Sequence, residues 1–188
     1  MRLSADLAEA LGRCTGLAAE SHTLPAACYV DPEVAALEAE TVFRQGWVGI
    51  GRGDRWAASG DYAAMDLGGV PVVVVRDEEA VLRAYANTCR HRSAQVMEGE
   101  GHCTKMRCPF HFWTYGLDGR LLGAPSMRDT NGFDRADHGL IEFMTAERHG
   151  FAFVSLEDSV CDEQMLNNSS GRALWLFPCW RQWSILKL

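Results

Sequence analysis

The spacing of hydrophobic and polar residues changes partway along the chain, from a helical to a strand-like pattern. Leu and Ala recur at helical intervals over residues 3–20, which predicts a loose first helix, and residues 21–30 read as a linker. Asp31 followed by Pro32 is typical of a helix start, because Asp caps free amides and Pro is tolerated in the first turn. We expect this second helix to run to about Gln45.

Short apolar segments separated by polar turns follow the helices, as in a meander of antiparallel strands. The predicted strands cover residues 47–50, 62–67, 70–76, 81–86, 104–107, 113–117, 120–122, 141–146 and 151–156. Asp118-Gly119 lies between two of them and is a strong hairpin-turn signal. The pattern therefore predicts a mainly β fold, a small antiparallel β-sandwich or barrel preceded by N-terminal helices.

Composition and charge narrow the classes of function. Hydrophobic residues make up 47% of the 188 and charged residues 23%, which is ordinary for a globular protein. The net charge of −7 disfavours binding to nucleic acid or to an anionic membrane surface. No apolar run is long enough to span a membrane, and seven cysteines without an even framework predict free thiols in a reducing, cytoplasmic setting.

Two short clusters carry the candidate chemistry: Cys89-Arg90-His91 and Cys108-Pro109-Phe110-His111, separated by 16 residues. Each offers one thiolate and one imidazole at the end of a predicted strand. The spacings C-x-H and C-x-x-H match a Rieske [2Fe–2S] site, in which two Cys hold one iron and two His hold the other. A tetrahedral Cys₂His₂ zinc site is the alternative, although zinc sites more often pair Cys with Cys and His with His.

The residues around both clusters resemble the Rieske domain of ring-hydroxylating oxygenase α subunits, a family that includes oxygenases acting on choline and carnitine. The similarity is carried by residues 87–92 and 108–122 and covers roughly residues 25–157. It implies a Rieske-type β-sandwich with two cluster-binding loops. It also implies electron supply from a reductase or ferredoxin, and assembly into a homo-oligomer, a trimer in the family. The cluster ligands that it implies are Cys89 and Cys108 on the inner iron and His91 and His111 on the outer iron.

Four positions in the cluster loops refine this resemblance. Rieske proteins of the cytochrome bc type carry a disulfide between the loops, and the equivalent residues here, Ala94 and Phe110, exclude it. The family often has Gly after each His-bearing segment, where this chain has Ser93 and Phe112. If the backbone there needs a positive φ angle, Phe112 is strained.

The second iron site of such oxygenases is missing from the sequence. That site has two His and a carboxylate in the motif D/E-x-x-H-x₄-H, which occurs nowhere among the six His of this chain. Mononuclear Fe(II) is therefore expected only in a full-length relative, and no catalytic residue is assigned. We interpret His138 and His149 as solvated loop residues, and His102 and Cys103 likewise as loop residues rather than spare ligands.

The sequence divides into a helical arm at 1–45, the Rieske domain at 46–157 and a Trp-rich tail at 158–188. We expect the tail to be a truncated or frame-shifted ending, or a segment that packs over a sheet face. The chain would then be the electron-transfer portion of an oxygenase α subunit, passing electrons towards an iron that it does not hold. The alternatives are a stand-alone Rieske ferredoxin-like carrier and, more weakly, a zinc-stabilised binding module.

Overall fold

Three helices begin the fold of the protein, for which the computed structural model describes residues 4–14, 17 and 19–157. These are α1 (Ala5–Gly12), α2 (Ala27–Val30) and α3 (Pro32–Glu38). The predicted start of α3 is confirmed, because the Asp31 carboxylate accepts a hydrogen bond from the Glu33 amide at 2.8 Å. A π-helical turn at Ala39–Phe43 continues α3, and α2 lies inside the segment that the sequence predicted as a linker.

The described part of the chain then forms ten strands in two antiparallel sheets. They are β1 (Trp47–Arg52), β2 (Asp61–Leu67), β3 (Val70–Arg76), β4 (Leu82–Ala86), β5 (Glu100–His102), β6 (Met106–Arg107), β7 (Thr114–Tyr115), β8 (Leu121–Gly123), β9 (Glu142–Arg148) and β10 (Phe151–Ser155). Seven form a curled sheet in the order β1-β10-β9-β4-β3-β2-β5, and β6-β7-β8 form a small second sheet. The predicted mainly β, antiparallel fold is confirmed.

Strand β3 is buried on both faces, because a core lies on each side of it. Val73 and Val75 pack into a core shared with the small sheet, whereas Val72 and Val74 pack into a second core around Trp56. Successive side chains of a strand point to opposite faces, so a strand with a core on each side needs a continuous apolar run. This arrangement accounts for the four consecutive valines.

Two loops leave this scaffold side by side. The first follows β4 and the second connects β6 with β7. Asn87 holds the first loop closed, because its buried side chain accepts hydrogen bonds from the Val96 and Met97 amides at 3.1 and 2.9 Å and donates one to the Met97 carbonyl at 2.8 Å. Both loops thus begin directly at a strand end, and Asn87 closes the first of them. Within the described ranges, no helix has the length and apolar character needed to cross a membrane.

Candidate metal centre

The two loops share one backbone arrangement around their cysteines. In each, the Cys amide donates a hydrogen bond to the carbonyl five residues later, and the Cys carbonyl accepts one from the amide four residues later. These distances are 2.8 and 2.9 Å for Cys89, and 2.9 and 3.2 Å for Cys108. The repeated geometry presents both thiols from equivalent positions of two tight turns.

The residue four places after each Cys adopts a left-handed backbone conformation. Ser93 has φ = 55° and Phe112 has φ = 60°. These are the two positions where the family often carries Gly, and the conformation costs a non-Gly residue about 1–2 kcal/mol. Phe112 therefore carries the strain expected of it, and its ring contacts the Arg107 guanidinium, whose Cζ lies 4.4 Å from the ring centroid.

The four candidate ligands form a buried pair of thiols and an outer pair of imidazoles. Cys89 and Cys108 are 3% and 2% exposed, and both belong to the core that lies beneath the two loops. Burial raises the pKa of the Cys108 thiol, and the neighbouring Cys89 adds to the rise. The His91 and His111 rings meet edge to face with centroids 4.8 Å apart. Burial, His111 and Arg92 together lower the pKa of His91.

This arrangement in pairs suits two metal ions better than one. A structural zinc site needs four ligands around one ion, whereas a Rieske cluster takes two thiolates on one iron and two imidazoles on the other. The buried thiols also need a cation to ionise. The donor set therefore fits a [2Fe–2S] cluster.

Two aromatic residues, Tyr115 in β7 and Trp113 just before it, each contact one candidate ligand. The Tyr115 hydroxyl lies 3.3 Å from the Cys89 Sγ and accepts a hydrogen bond from the Arg90 amide at 3.1 Å. The Trp113 indole stacks on the His91 imidazole, with centroids 4.9 Å apart and planes 11° apart. The structure thus gives each of these two aromatics a separate contact at the site.

His138 is not the solvated loop residue that the sequence suggested. Its ring packs against Trp113 at 5.8 Å and Phe133 at 4.7 Å, and its Nδ1 lies 2.6 Å from the Asp134 carbonyl oxygen. It thus belongs to the aromatic layer behind His91. No local sequence signal marks this contact, because it joins residues 25 positions apart in the chain.

Of the remaining described His and Cys residues, Cys103 packs against the core that contains Cys89 and Cys108. His102 contacts Asp61, with Nδ1 and Oδ1 3.2 Å apart, and His149 is exposed at a turn. Cys14, Cys28 and Cys103 are partly buried free thiols. Cys161, Cys179 and the Trp-rich segment fall outside the described residues.

Comparison with known proteins places this geometry among Rieske domains. Residues 46–134 match the family described as Rieske [2Fe-2S] domain. The glycine betaine monooxygenase oxygenase subunit of Chromohalobacter salexigens is 39% identical over 138 residues, which are 73% of this chain and 31% of that protein. The carnitine monooxygenase oxygenase subunit of Escherichia coli K12 is 33% identical over 161 residues, 85% of this chain and 43% of that protein.

Solved structures of oxygenases are also similar to this chain. The naphthalene 1,2-dioxygenase of Rhodococcus sp. bound to indole has a TM-score of 0.74 at 32% identity, over 88% of this chain and 39% of that one. A quaternary ammonium Rieske monooxygenase in complex with an inhibitor has a TM-score of 0.70 at 30% identity, over 78% and 42%. The chain thus spans less than half the length of these relatives, and it matches their N-terminal part.

Proposed function

Since this chain carries the Rieske [2Fe–2S] domain of the ring-hydroxylating oxygenase α-subunit family, we propose that it relays single electrons through ligands Cys89, Cys108, His91 and His111. The thiolates of the two Cys would hold the inner iron and the imidazoles of the two His the outer iron. A bound cluster of this type supplies one-electron chemistry at a potential raised by the neutral imidazoles. The observation that carries the proposal is the buried thiol pair lying beside the outer imidazole pair.

The protein's own residues would prepare this site in three ways. Anchored loops keep the four ligands in place, so little rearrangement accompanies a change of charge. The Tyr115 hydroxyl lies 3.3 Å from the Cys89 sulfur, and it would donate a hydrogen bond to the iron-bound thiolate, which favours the more negative, reduced form. His111 is exposed in the second loop and would present the outer iron to an electron-transfer partner.

The proposal includes a donor and an acceptor for these electrons. A reductase or ferredoxin would supply them, and a mononuclear iron would receive them. The sequence lacks the D/E-x-x-H-x₄-H motif, so that iron would belong to a longer form of the protein, in which a homo-oligomer such as a trimer would bring one subunit's cluster to its neighbour's iron. This chain matches only 31% and 43% of the length of the two relatives, in their N-terminal part. That limited match supports electron delivery as the role of this chain.

We keep the division into an arm at 1–45, a Rieske domain at 46–157 and a tail at 158–188 as part of the proposal. The first strand begins at Trp47 and the last described strand ends at Ser155, which supports the central boundaries. The proposal also includes a reducing, cytoplasmic setting, which the seven cysteines without an even framework of spacings favour.

Purified full-length chain tests the proposal through its metal content and spectrum. We expect about two irons and two acid-labile sulfides per chain, a red-brown colour and a rhombic electron paramagnetic resonance signal on reduction. Cys89→Ala and Cys108→Ala should abolish all of these, whereas Cys103→Ala, a half-buried thiol outside the site, should keep them. Colourless protein with only zinc would reject the proposal. Oxygen-dependent product formation by this chain alone would contradict electron delivery as its role.

A further inference from the structure

The Trp113 indole contacts the candidate ligand His91 and also two rings from a later part of the chain. It stacks on the His91 imidazole, with centroids 4.9 Å apart and planes 11° apart. Phe133 and His138 pack against the indole edge to face, with centroids at 5.6 and 5.8 Å. Those two rings also contact each other at 4.7 Å. The indole thus connects a candidate ligand with a pair of mutually packed rings.

Packing, and not a hydrogen bond, holds the indole in this orientation. Trp113 is 2% exposed, and its Nε1 atom is buried without a protein acceptor in the part of the chain that the structure describes. A buried indole N–H usually has a partner, and that partner fixes the direction of the ring. For Trp113 the restraint comes from the rings around it, and His138 is one of them.

His138 is itself held in a defined direction by the turn that carries it. Its Nδ1 lies 2.6 Å from the Asp134 carbonyl oxygen. Since a carbonyl oxygen only accepts, Nδ1 carries a proton and donates it, which fixes the plane of the imidazole. The Asp134 carboxylate closes the same turn by accepting a hydrogen bond from the Ala136 amide at 2.9 Å. The ring that meets the indole therefore has a fixed support.

The turn that carries His138 is tied to the small sheet β6-β7-β8. Arg135 of the turn donates a hydrogen bond to the Leu122 carbonyl of β8 at 2.9 Å. The Leu140 amide, just after the turn, donates one to the Gly119 carbonyl between β7 and β8, also at 2.9 Å. The indole belongs to the residue directly before β7. Both partners of the ring contact are thus attached to one sheet.

We propose that His138 is a positioning residue for the outer iron ligand His91, on which it acts through the Trp113 indole. The inference rests on the proposed function and adds to it a residue outside the two loops. An imidazole that coordinates iron must keep its lone pair directed at the metal, and the groups around the ligand set that direction. The stacked indole restrains the His91 ring, and His138 restrains the indole.

Iron release gives the first test, with full-length chain carrying its cluster and a chelator as the probe. Substituting a residue that touches a metal ligand directly costs about 10- to 100-fold in metal affinity, so His138→Ala, which acts one contact further away, should speed iron loss by about threefold. In a chain that already carries Trp113→Phe, the same substitution should add little, because the shorter ring offers less contact to position 138.

This pair of substitutions distinguishes action through the indole from an independent effect. Residues that act independently have effects on the rate that multiply, whereas residues that act through one contact do not. If the effects of His138→Ala and Trp113→Phe multiply in full, His138 does not act through Trp113 and the inference is wrong. An unchanged rate of iron loss in His138→Ala would also overturn it.

Two further substitutions separate the His138 ring from its hydrogen bond. His138→Phe keeps an aromatic ring against the indole and loses the bond to the Asp134 carbonyl. His138→Asn keeps an amide donor for that carbonyl and loses the ring. We expect His138→Phe to restore most of the slow iron release and His138→Asn to behave like His138→Ala. The opposite order would refute the inference, because the turn and not the ring contact would then control the site.

Pulsed electron paramagnetic resonance adds a readout that general destabilisation would not produce. On the reduced protein it measures how strongly the unpaired electron couples to each ligand nitrogen. In His138→Ala the coupling of the His91 nitrogen should broaden, because that ring loses part of its restraint, whereas the coupling of the His111 nitrogen should not. Equal changes at both nitrogens, or no change at either, would contradict a role in positioning His91.

The matched control is His149→Asn, which removes an exposed imidazole from the turn between β9 and β10. His149 has φ = 52°, and Asn tolerates this left-handed conformation. The control should keep the iron-release rate and both nitrogen couplings, and a control that loses iron as fast as His138→Ala would rule out a specific effect. A chain that binds no [2Fe–2S] cluster overturns the proposed function and this inference with it. A chain with an intact cluster that is indifferent to position 138 overturns only the inference.

Discussion

The hydroxyl of Tyr115 and the sulfur of Cys89 lie 3.3 Å apart, although 26 positions separate them in the sequence. Tyr115 is fully buried, and burial together with Cys89 raises the pKa of its phenol above the usual range. The phenol therefore stays protonated and donates to the sulfur once the thiol is ionised. The contact ties a strand of the small sheet to the first loop and places a neutral donor on a candidate ligand.

Replacing Tyr115 by Phe should lower the reduction potential of the cluster by about 40 mV. A hydrogen bond is worth about 1 kcal/mol, and 59 mV corresponds to about 1.4 kcal/mol for one electron. Losing the donor destabilises the reduced form more than the oxidised one. Redox titration followed by circular dichroism would measure the shift. Tyr85→Phe is the control, since the Tyr85 hydroxyl donates to the Leu117 carbonyl at 3.3 Å and forms no hydrogen bond with a candidate ligand in the described structure. An unchanged potential in the Tyr115 variant would contradict the prediction.

Trp113→Phe should speed the loss of iron from the oxidised protein several-fold, because the indole is the flat surface on which His91 rests. Iron release to a chelator, followed by absorbance, would measure it. Trp56→Phe is a matched control: Trp56 is equally buried, but it packs in the other core. Both substitutions should cost about 1–3 kcal/mol in the free energy of unfolding. Only the first should change iron release, and equal release rates would show that the effect is general destabilisation.

Gly119→Ala should destabilise the protein by about 2 kcal/mol or more. Gly119 has φ = 77°, and an added Cβ would meet the Tyr85 ring at 2.5 Å. Gly69→Ala tests the backbone strain alone, since its φ is 85° and no atom lies within 4 Å of the added Cβ. It should cost about 1 kcal/mol. Urea unfolding midpoints would compare the two, and equal losses would mean that the ring moves aside.

Asp77→Asn should lower the free energy of unfolding at neutral pH. It should also make that free energy depend less on pH in the acid range. Burial alone would raise the pKa of Asp77, but hydrogen bonds from Arg83 and from the Val81 and Glu79 amides outweigh it and lower the pKa. A carboxyl with a lowered pKa stabilises the folded state above its unfolded pKa of about 3.9. It loses that contribution as pH falls through the folded pKa.

For Asp77→Asn, the free energy of unfolding should be lower by about 2 kcal/mol at pH 7, and this difference should shrink below about pH 4. Chemical unfolding at a series of pH values would measure it. Glu100→Gln breaks an exposed ion pair with Arg55, with the Glu100 side chain 66% exposed, and should change stability by less than about 0.5 kcal/mol. A constant deficit of the Asp77 variant from pH 7 to pH 3 would contradict the lowered pKa.

Local patterns were sufficient for much of the fold. The β3 boundaries at 70 and 76 agree with the alternation of apolar runs and turns, and the Asp31 cap of α3 agrees with its Asp-Pro signal. The boundaries around the second loop were less accurate. The strand predicted at 113–117 is only Thr114–Tyr115, because the loop backbone continues through Trp113. Helix α2 was missed because its four residues carry no periodic pattern.

The sequence by itself determined the chemistry available to this protein: two Cys and two His in two loops, with no motif for a second iron. Only the tertiary structure decided how those groups are arranged, because the deciding contacts join distant parts of the chain. Folding buries the thiols together, stacks Trp113 on His91, brings His138 behind it and leaves Arg92 and Phe112 at the surface. Local spacing encodes turns and strands, whereas burial and charge pairing depend on which surfaces meet when the sheets close.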